Sequence, residues 1–457
     1  MSLETSLSPQ RLVLFLSEIF SAILFFLFLR EASLLFIKQK RRFTKPVNLP
    51  VVNLDGNNYR AAEESYVTDL ITLLKEGREK GVMGDKFFVD VIRPEIPATL
   101  KTSLNPKLDW RPFHVYPKCL RMISLISGRI FVGPDLNRDE KWITTNIDFT
   151  IDLFRGGEAV RRLPQLLRSA AINLRLVPKV NRMWDQERYA MRVLIPILKQ
   201  RIKEQTEDPD MDRPKDMLQW IMEYSRSVNP PLSLERQAKT QLILGMSAIH
   251  ASSIATVNFI YDLMARPEYL KPLREEVDRV WEESNGELDK PAMSKLVKLD
   301  SFLKESQRLH PAAHITFDRE ITNKKGFTLS NGLHLPQHTH YAVASSLIAK
   351  NSEPWQNPEE FDGLRCAKLR ENPADHSKFH FVSTNPYHSM AFSHGKHACP
   401  GRFFAANEIK TIMAYMIRHF DMKPVQGKEK RPESVVFGHN LQPDPSVEIL
   451  IRKRQEW

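Results

Sequence analysis

Twenty-two consecutive residues, Thr240 to Tyr261, carry no formal charge, and that run limits the folds open to this chain. Charged residues make up 26% of the sequence, so a gap of this length marks an element shut away from water. Asn229-Pro230-Pro231 breaks the chain just upstream, and Ser233 is placed to cap a new helix. The run is not uniformly apolar. Gly245, Ser247, Ala248, His250, Ala251, Ser252 and Ser253 are scattered through it, which is too polar for a membrane span and suits a central core helix. So many small side chains also let something flat and large lie against the helix backbone, and that object need not be protein.

Composition excludes several classes. At ~150 residues per domain, 457 residues correspond to roughly three domains, although single folds of this size exist. A 42% hydrophobic content excludes a disordered chain and a polytopic membrane protein. Three cysteines, Cys119, Cys366 and Cys399, are too few for a disulfide scaffold and suit a reducing compartment. The net charge of +11 is spread along the chain without a zinc finger or similar reader. A membrane-facing surface or an acidic partner is expected, and no nucleic acid.

Near the amino terminus, Leu12 to Leu29 form 18 positions with one charge, Glu18. As a helix they span ~27 Å at ~1.5 Å per residue, close to a thin endoplasmic-reticulum bilayer. Arg11 precedes them, and Lys38, Lys40, Arg41, Arg42 and Lys45 follow. The heavier basic flank places the rest of the chain in the cytosol. With no small-residue cleavage site, an uncleaved single-pass anchor is favoured over a secretory signal or a buried soluble helix.

Helical periodicity dominates after residue 115. Residues 145–175 and 186–205 read as amphipathic helices, 205–216 as an acidic surface loop, and 339–347 and 446–452 as strands. The fold class is mainly α with a minor β part.

The segment richest in chemistry is Phe392-Ser-His-Gly-Lys-His-Ala-Cys-Pro-Gly401. Pro400 is expected to open a helix, which Ile409, Ile412, Met413, Met416, Ile417 and Phe420 continue as an apolar stripe. Cys399 then sits before a helix amino terminus, where dipole and free N–H groups stabilise a thiolate. Such a thiolate serves as a nucleophile, a zinc ligand or an axial haem ligand. His394, His397 and Cys399 lack a fourth zinc ligand and a usual spacing. A cysteine nucleophile would need an oxyanion hole and an orienting acid that nothing here supplies. A haem-thiolate site uses every part: Gly395 and Gly401 let backbone approach the porphyrin, Phe392 shields the sulfur and His397 reaches a propionate.

Phe392-x-x-Gly395-x-His397-x-Cys399-Pro400-Gly401 resembles the haem-binding signature of the cytochromes P450. Arg is commoner where His397 stands, and His occurs in the fungal branch. Glu305-Ser-Gln-Arg308 looks like the family's Glu-x-x-Arg helix, and Pro358-Glu-Glu-Phe361-Asp-Gly-Leu-Arg365 like the loop whose arginine completes an ion triad. Phe379-His-Phe-Val-Ser-Thr and Asn407-Glu-Ile-Lys are similar to fungal secondary-metabolite members, notably those oxidising terpenoid or indole-diterpene skeletons. The likeness covers residues 48–81 and 109–457.

The resemblance implies a membrane-anchored monooxygenase with haem (iron-protoporphyrin IX, axial thiolate) held by Cys399. It implies molecular oxygen, an apolar small-molecule substrate and a membrane-bound NADPH-cytochrome P450 reductase, which Lys396 and Arg402 would face. It implies residues 1–45 as membrane anchor and basic flank, and 46–457 as the catalytic domain. The chain also departs from the pattern. On the oxygen-side helix His250 takes the acid's slot, and Ala251 takes that of the alcohol, so His250 and Ser252 are the expected proton donors. Only 27 residues separate Gly81 from Asp109, where the family spends many more. Arg93, in Phe87-Phe-Val-Asp-Val-Ile-Arg93, is the expected propionate partner there. A degenerate or non-oxygenating homologue is the alternative.

Overall fold

The computed structural model describes residues 98–99, 109–353, 355–395 and 398–454. The expected anchor at Leu12–Leu29, the short 82–108 segment with Arg93, and Lys396 and His397 lie outside the described residues apart from 98–99.

Strand β1 (Arg111–His114) leads into helix α1 (Val115–Phe131), followed by α2 (Glu140–Arg161), α3 (Gln165–Asn173), α4 (Pro178–Glu207), α5 (Met217–Ser227) and α6 (Leu234–Ala265). Helices α7 (Leu270–Glu283), α8 (Lys290–Lys295) and α9 (Val297–Leu309) complete the helical part before the small strands. These are β2 (Thr316–Glu320), β3 (Phe327–Thr328), β4 (His334–Leu335) and β5 (His340–Val343). Short helices α10 (Ser345–Ile348) and α11 (Arg365–Leu369) precede α12 (Arg402–His419), and β6 (Phe420–Pro424), β7 (Ser434–Phe437), β8 (Asn440–Pro443) and β9 (Glu448–Lys453) close the chain.

The described chain divides into two compact units. One holds Glu158–Val177, where α3 ends with Leu174 N–H donating to the Ala170 carbonyl at 2.8 Å. The other, with the described residues up to Gly157 and from Pro178 on, carries the core. At its centre α6 packs on α1, α4, α5, α9 and α12. The uncharged run is therefore a core helix, long and apolar enough to cross a membrane but largely buried in protein. Its start is set as expected: Ser233 Oγ accepts from Arg236 N–H at 3.2 Å.

Several boundaries differ from expectation. Residues 145–175 are two helices, because Pro164 has no N–H to donate and disfavours helical backbone in the residue before it. The 186–205 helix begins earlier, at Pro178. The loop before α5 is not all surface. Asp216 is buried, accepts from Gln219 N–H at 2.9 Å as the helix cap, and is clamped by both Arg201 Nη atoms at 2.7 and 2.6 Å. Of the two expected strands, 339–347 narrows to β5, and 446–452 shifts to β9, which starts at Glu448 and ends at Lys453.

Strand β9 is the middle of an antiparallel sheet ordered β1-β9-β6. Ile449 and Ile451 pair with Phe113 and Arg111 on one side and with Pro424 and Met422 on the other. Period-two alternation buries Ile449 and Ile451 with Phe113 and Met422.

A second packing centre surrounds Phe302 of α9. Its ring meets Phe259, Tyr269 and Phe361 at centroid distances of 4.8, 5.3 and 5.1 Å. Gly363 touches this cluster, and a Cβ there would lie 2.6 Å from Phe302 Cδ2 and 3.0 Å from Tyr269 Cε1. Gly363→Ala should therefore lower stability by about 1–3 kcal/mol through overpacking. The urea midpoint of unfolding checks this; an unchanged midpoint would mean that the rings yield freely.

Candidate active site

The Cys399 loop is held from both sides. Cys399 N–H donates to the Phe392 carbonyl at 2.8 Å, and Ala398 N–H to that of Gly395 at 3.1 Å. Gly395 has φ 64°, a left-handed conformation that glycine adopts without strain. The expected helix start shifts: α12 begins at Arg402 with Gly401 as its cap, so Pro400 belongs to the turn. That turn aims the Gly401 and Arg402 N–H groups at the sulfur. Burial pushes the Cys399 thiol up, and those two N–H groups and the Arg402 charge oppose it. The helix-end effect expected from sequence is present, but desolvation outweighs it. The Arg402 guanidinium is tied to the Cys399 carbonyl at 2.7 Å and stacks over Phe403.

The thiol opens on an apolar cavity of about 480 Å³, within the range of small-molecule sites. Phe392, Gly401 and Phe404 stand on the cysteine side. One face of α6 also lines the cavity: Leu244, Ser247, Ala248, Ala251, Ser252 and Ala255, spaced i, i+3, i+4, i+7, i+8 and i+11. Ser247 and Ala251 are solvent-accessible although they lie in the middle of a core helix, because they face this space. A Cβ added at Gly395 or Gly401 would meet no atom within 4 Å. Thiol, flat small-residue wall and open glycine positions fit a planar macrocycle with an axial sulfur ligand.

The two expected proton donors are separated. Ser252 lines the cavity. His250 does not: its Nε2 lies 3.1 Å from the Ile147 carbonyl on α2, and since a carbonyl only accepts, Nε2 carries the proton. Burial holds this ring's pKa below its ordinary value, with the Ile147 bond opposing. His310 also lines the cavity, with Nδ1 3.0 Å from Asp262. Burial would raise the Asp262 carboxyl, but His310, Arg431 and Ser306 together hold it below the usual carboxylate range.

Behind the cysteine loop the structure brings Glu305, Arg308 and Arg365 together. Arg308 binds Glu305 bidentately, Nε to Oε2 at 2.8 Å and Nη2 to Oε1 at 2.7 Å, while Arg365 uses only Nε, at 3.1 Å. Both arginines also donate to the Glu360 carbonyl, which ties the loop to α9. Next to them Lys304, fully buried, donates to the Ser383 carbonyl at 2.8 Å and to Ser389 Oγ. Burial lowers its pKa to about 8. It secures the segment bearing Phe381, whose ring packs edge-on to Phe392 at 5.6 Å.

Of the zinc set, His397 lies outside the described residues and His394 meets Thr384 Oγ1 at 3.5 Å. Among the described residues no three His, Cys, Asp or Glu side chains cluster to hold a metal ion. Sequence reasoning missed Glu408, which is fully buried on α12 and reached by Ser127 Oγ at 2.7 Å. A signal was there: Glu408 precedes Ile412 by one helical turn, on the apolar stripe.

A helical body around one long core helix, with a cysteine thiol at the wall of an apolar cavity, defines an enzyme built around a sulfur-ligated planar cofactor. The cytochrome P450 family model matches residues 158–448. The chain is 36% identical to cytochrome P450 monooxygenase braC of Annulohypoxylon truncatum, over 80% of this chain and 72% of that protein. It is 37% identical to cytochrome P450 monooxygenase BOA4 of Botryotinia fuckeliana, over 79% of this chain and 71% of that one. A solved structure of retinoic acid-bound cyanobacterial CYP120A1 superposes with a TM-score of 0.63 at 19% identity, covering 85% of this chain and 79% of that one, and shows the fold. The chain belongs to the cytochrome P450 family. It is a monooxygenase of the fungal kind, and the family's cofactor is haem with an axial thiolate. Membership implies a redox partner, dioxygen and an organic substrate.

Proposed function

We propose that this enzyme hydroxylates or otherwise oxidises an apolar secondary metabolite of terpenoid, meroterpenoid or indole-diterpene type. On this reading residues 1–45 anchor it in the endoplasmic-reticulum membrane, residues 46–457 form a cytosolic catalytic domain, and NADPH-cytochrome P450 reductase supplies the electrons. The observation that carries it is the Cys399 thiol opening on an apolar cavity that the small-residue face of α6 also lines.

Haem bound here would supply oxygen activation, favoured by electron donation from the Cys399 sulfur. The chain's own residues do the rest. Cys399 ligates, Phe392 covers the sulfur, Gly395 and Gly401 admit the macrocycle, and His397 and Arg93 are assigned to its propionates. Leu244, Ala248 and Ala255 exclude water and hold an apolar skeleton, and Ser252 is the hydroxyl nearest the role of proton donor. In microsomes with the reductase, product formation should consume NADPH and oxygen together. Absence of such consumption in protein with the full haem complement would sink the proposal.

A degenerate, non-oxygenating homologue is the second reading, favoured by Ala251 standing where the family has an alcohol. One helical step is ~100°, so Ser252 points away from the direction of residue 251. Ala251→Thr should raise product formed per NADPH and lower peroxide released, an acid–base contribution of ~10²–10⁴-fold when the donor is well placed. Equal peroxide per NADPH in wild type and variant would show that another group already serves.

A further inference from the structure

Glu408 is a buried carboxyl for which the site described above has no use. Its exposure is zero, and it lies where α1, α6 and α12 meet. Ser127 of α1, equally buried, donates to Oε1 at 2.7 Å. Ser252 of α6 acts on the same carboxyl, and the buried Oε2 has no hydrogen-bond partner. The cation nearest in sequence, Lys410, turns elsewhere, to Asp300 at 3.3 Å and the Met293 carbonyl. An ionised carboxylate at such a place would be strongly destabilising. The neutral acid has one accepting oxygen, which Ser127 serves, and one O–H to give.

We propose that Glu408 is a positioning residue: as a neutral acid it donates from Oε2 to Ser252 Oγ, which turns the Ser252 O–H into the cavity beside Cys399, where Ala251 has no hydroxyl to offer. The three groups then donate in one direction, Ser127 to Glu408, Glu408 to Ser252, Ser252 to an acceptor in the cavity. Donors so aligned polarise one another. No proton changes owner; the carboxyl fixes which way the last hydroxyl points. Burial supports this state by raising the Glu408 pKa to about 8; bonds that Ser127 and Ser252 would donate to the ionised form oppose it. The acid is therefore neutral below that pH and ionises above it, where it turns from donor to acceptor and Ser252 reverses.

The use of this device rests on the monooxygenase reading, but its existence does not, and infrared spectroscopy of the resting full-length holoprotein reads it without turnover. At pH 7 the C=O stretch of a protonated carboxyl should be present in wild type and absent in Glu408→Gln. It should shift in Ser252→Ala and in Ser127→Ala, and disappear as the pH passes about 8. A wild-type spectrum with no band removed by Glu408→Gln, or a band unmoved by Ser252→Ala, overturns the proposal. In turnover, wild type should release more peroxide per NADPH above pH 8. Glu408→Gln, whose amide still donates, should stay coupled with a flat pH profile, and Glu408→Leu should resemble Ser252→Ala at every pH. Glu408→Leu as well coupled as wild type also overturns it. If NADPH is never consumed, the functional reading fails and the infrared bands still decide the role of Glu408.

Discussion

Cys399→Ala should abolish the red-shifted Soret band that ferrous protein shows with carbon monoxide, while Cys119→Ala and Cys366→Ala keep it. The expectation follows from where each sulfur lies. Cys119 is wholly buried on α1, and Cys366 packs with Trp355 and Phe379. Burial pushes both thiols up to about 12, and neither lines the cavity. Cys399 is the one of the three that faces it, with two backbone N–H groups turned toward its sulfur. A band that survives in Cys399→Ala would assign the ligand elsewhere. A band lost in Cys366→Ala would reflect the packing around Trp355, and circular dichroism would separate that case.

The second large effect is on folding. Glu305→Ala removes the one carboxylate shared by Arg308 and Arg365, whose side chains are 2% and 10% exposed. Removing one partner of a buried ion pair leaves a charge uncompensated and costs ~3–5 kcal/mol, comparable with the stability of many domains. The arginines keep their carbonyl partners at Ala349, Asn357 and Glu360, so the loop loses its charge balance before its geometry. The variant should accumulate as poorly folded protein with little haem, measured as haem per chain and as the denaturant midpoint. Full haem content with an unshifted midpoint would contradict a structural role for the triad.

How far the sequence could be read depended on the range of each signal. The core helix was legible because absence of charge over 22 positions needs no knowledge of neighbours. The Ser233 cap and strand β9 were legible because capping and period-two alternation are local. Strands β3 and β4 have two residues each, too few to show a period. The break at Pro164 was visible in the sequence and was overridden by periodicity on both sides. In the site, spacing identified Cys399 and the ion triad. It could not tell His250 from Ser252, because their separation depends on which helix offers a carbonyl to which face. Glu408 stayed hidden for the same reason: the hydroxyls that receive it come from Ser127 and Ser252, 281 and 156 positions away.

The placement of β9 bears on synthesis. The strand that binds both β1 and β6 is the last in the described chain, so neither ladder can form until residue 453 has left the ribosome. Helices α1 and α6 emerge far earlier and can pack on each other while β1 still has an unpaired edge. Contacts that span nearly the whole chain form late, and strand edges left open meanwhile favour aggregation. The β1 edge that β9 covers thus stays open until a strand from the far end of the described chain reaches it.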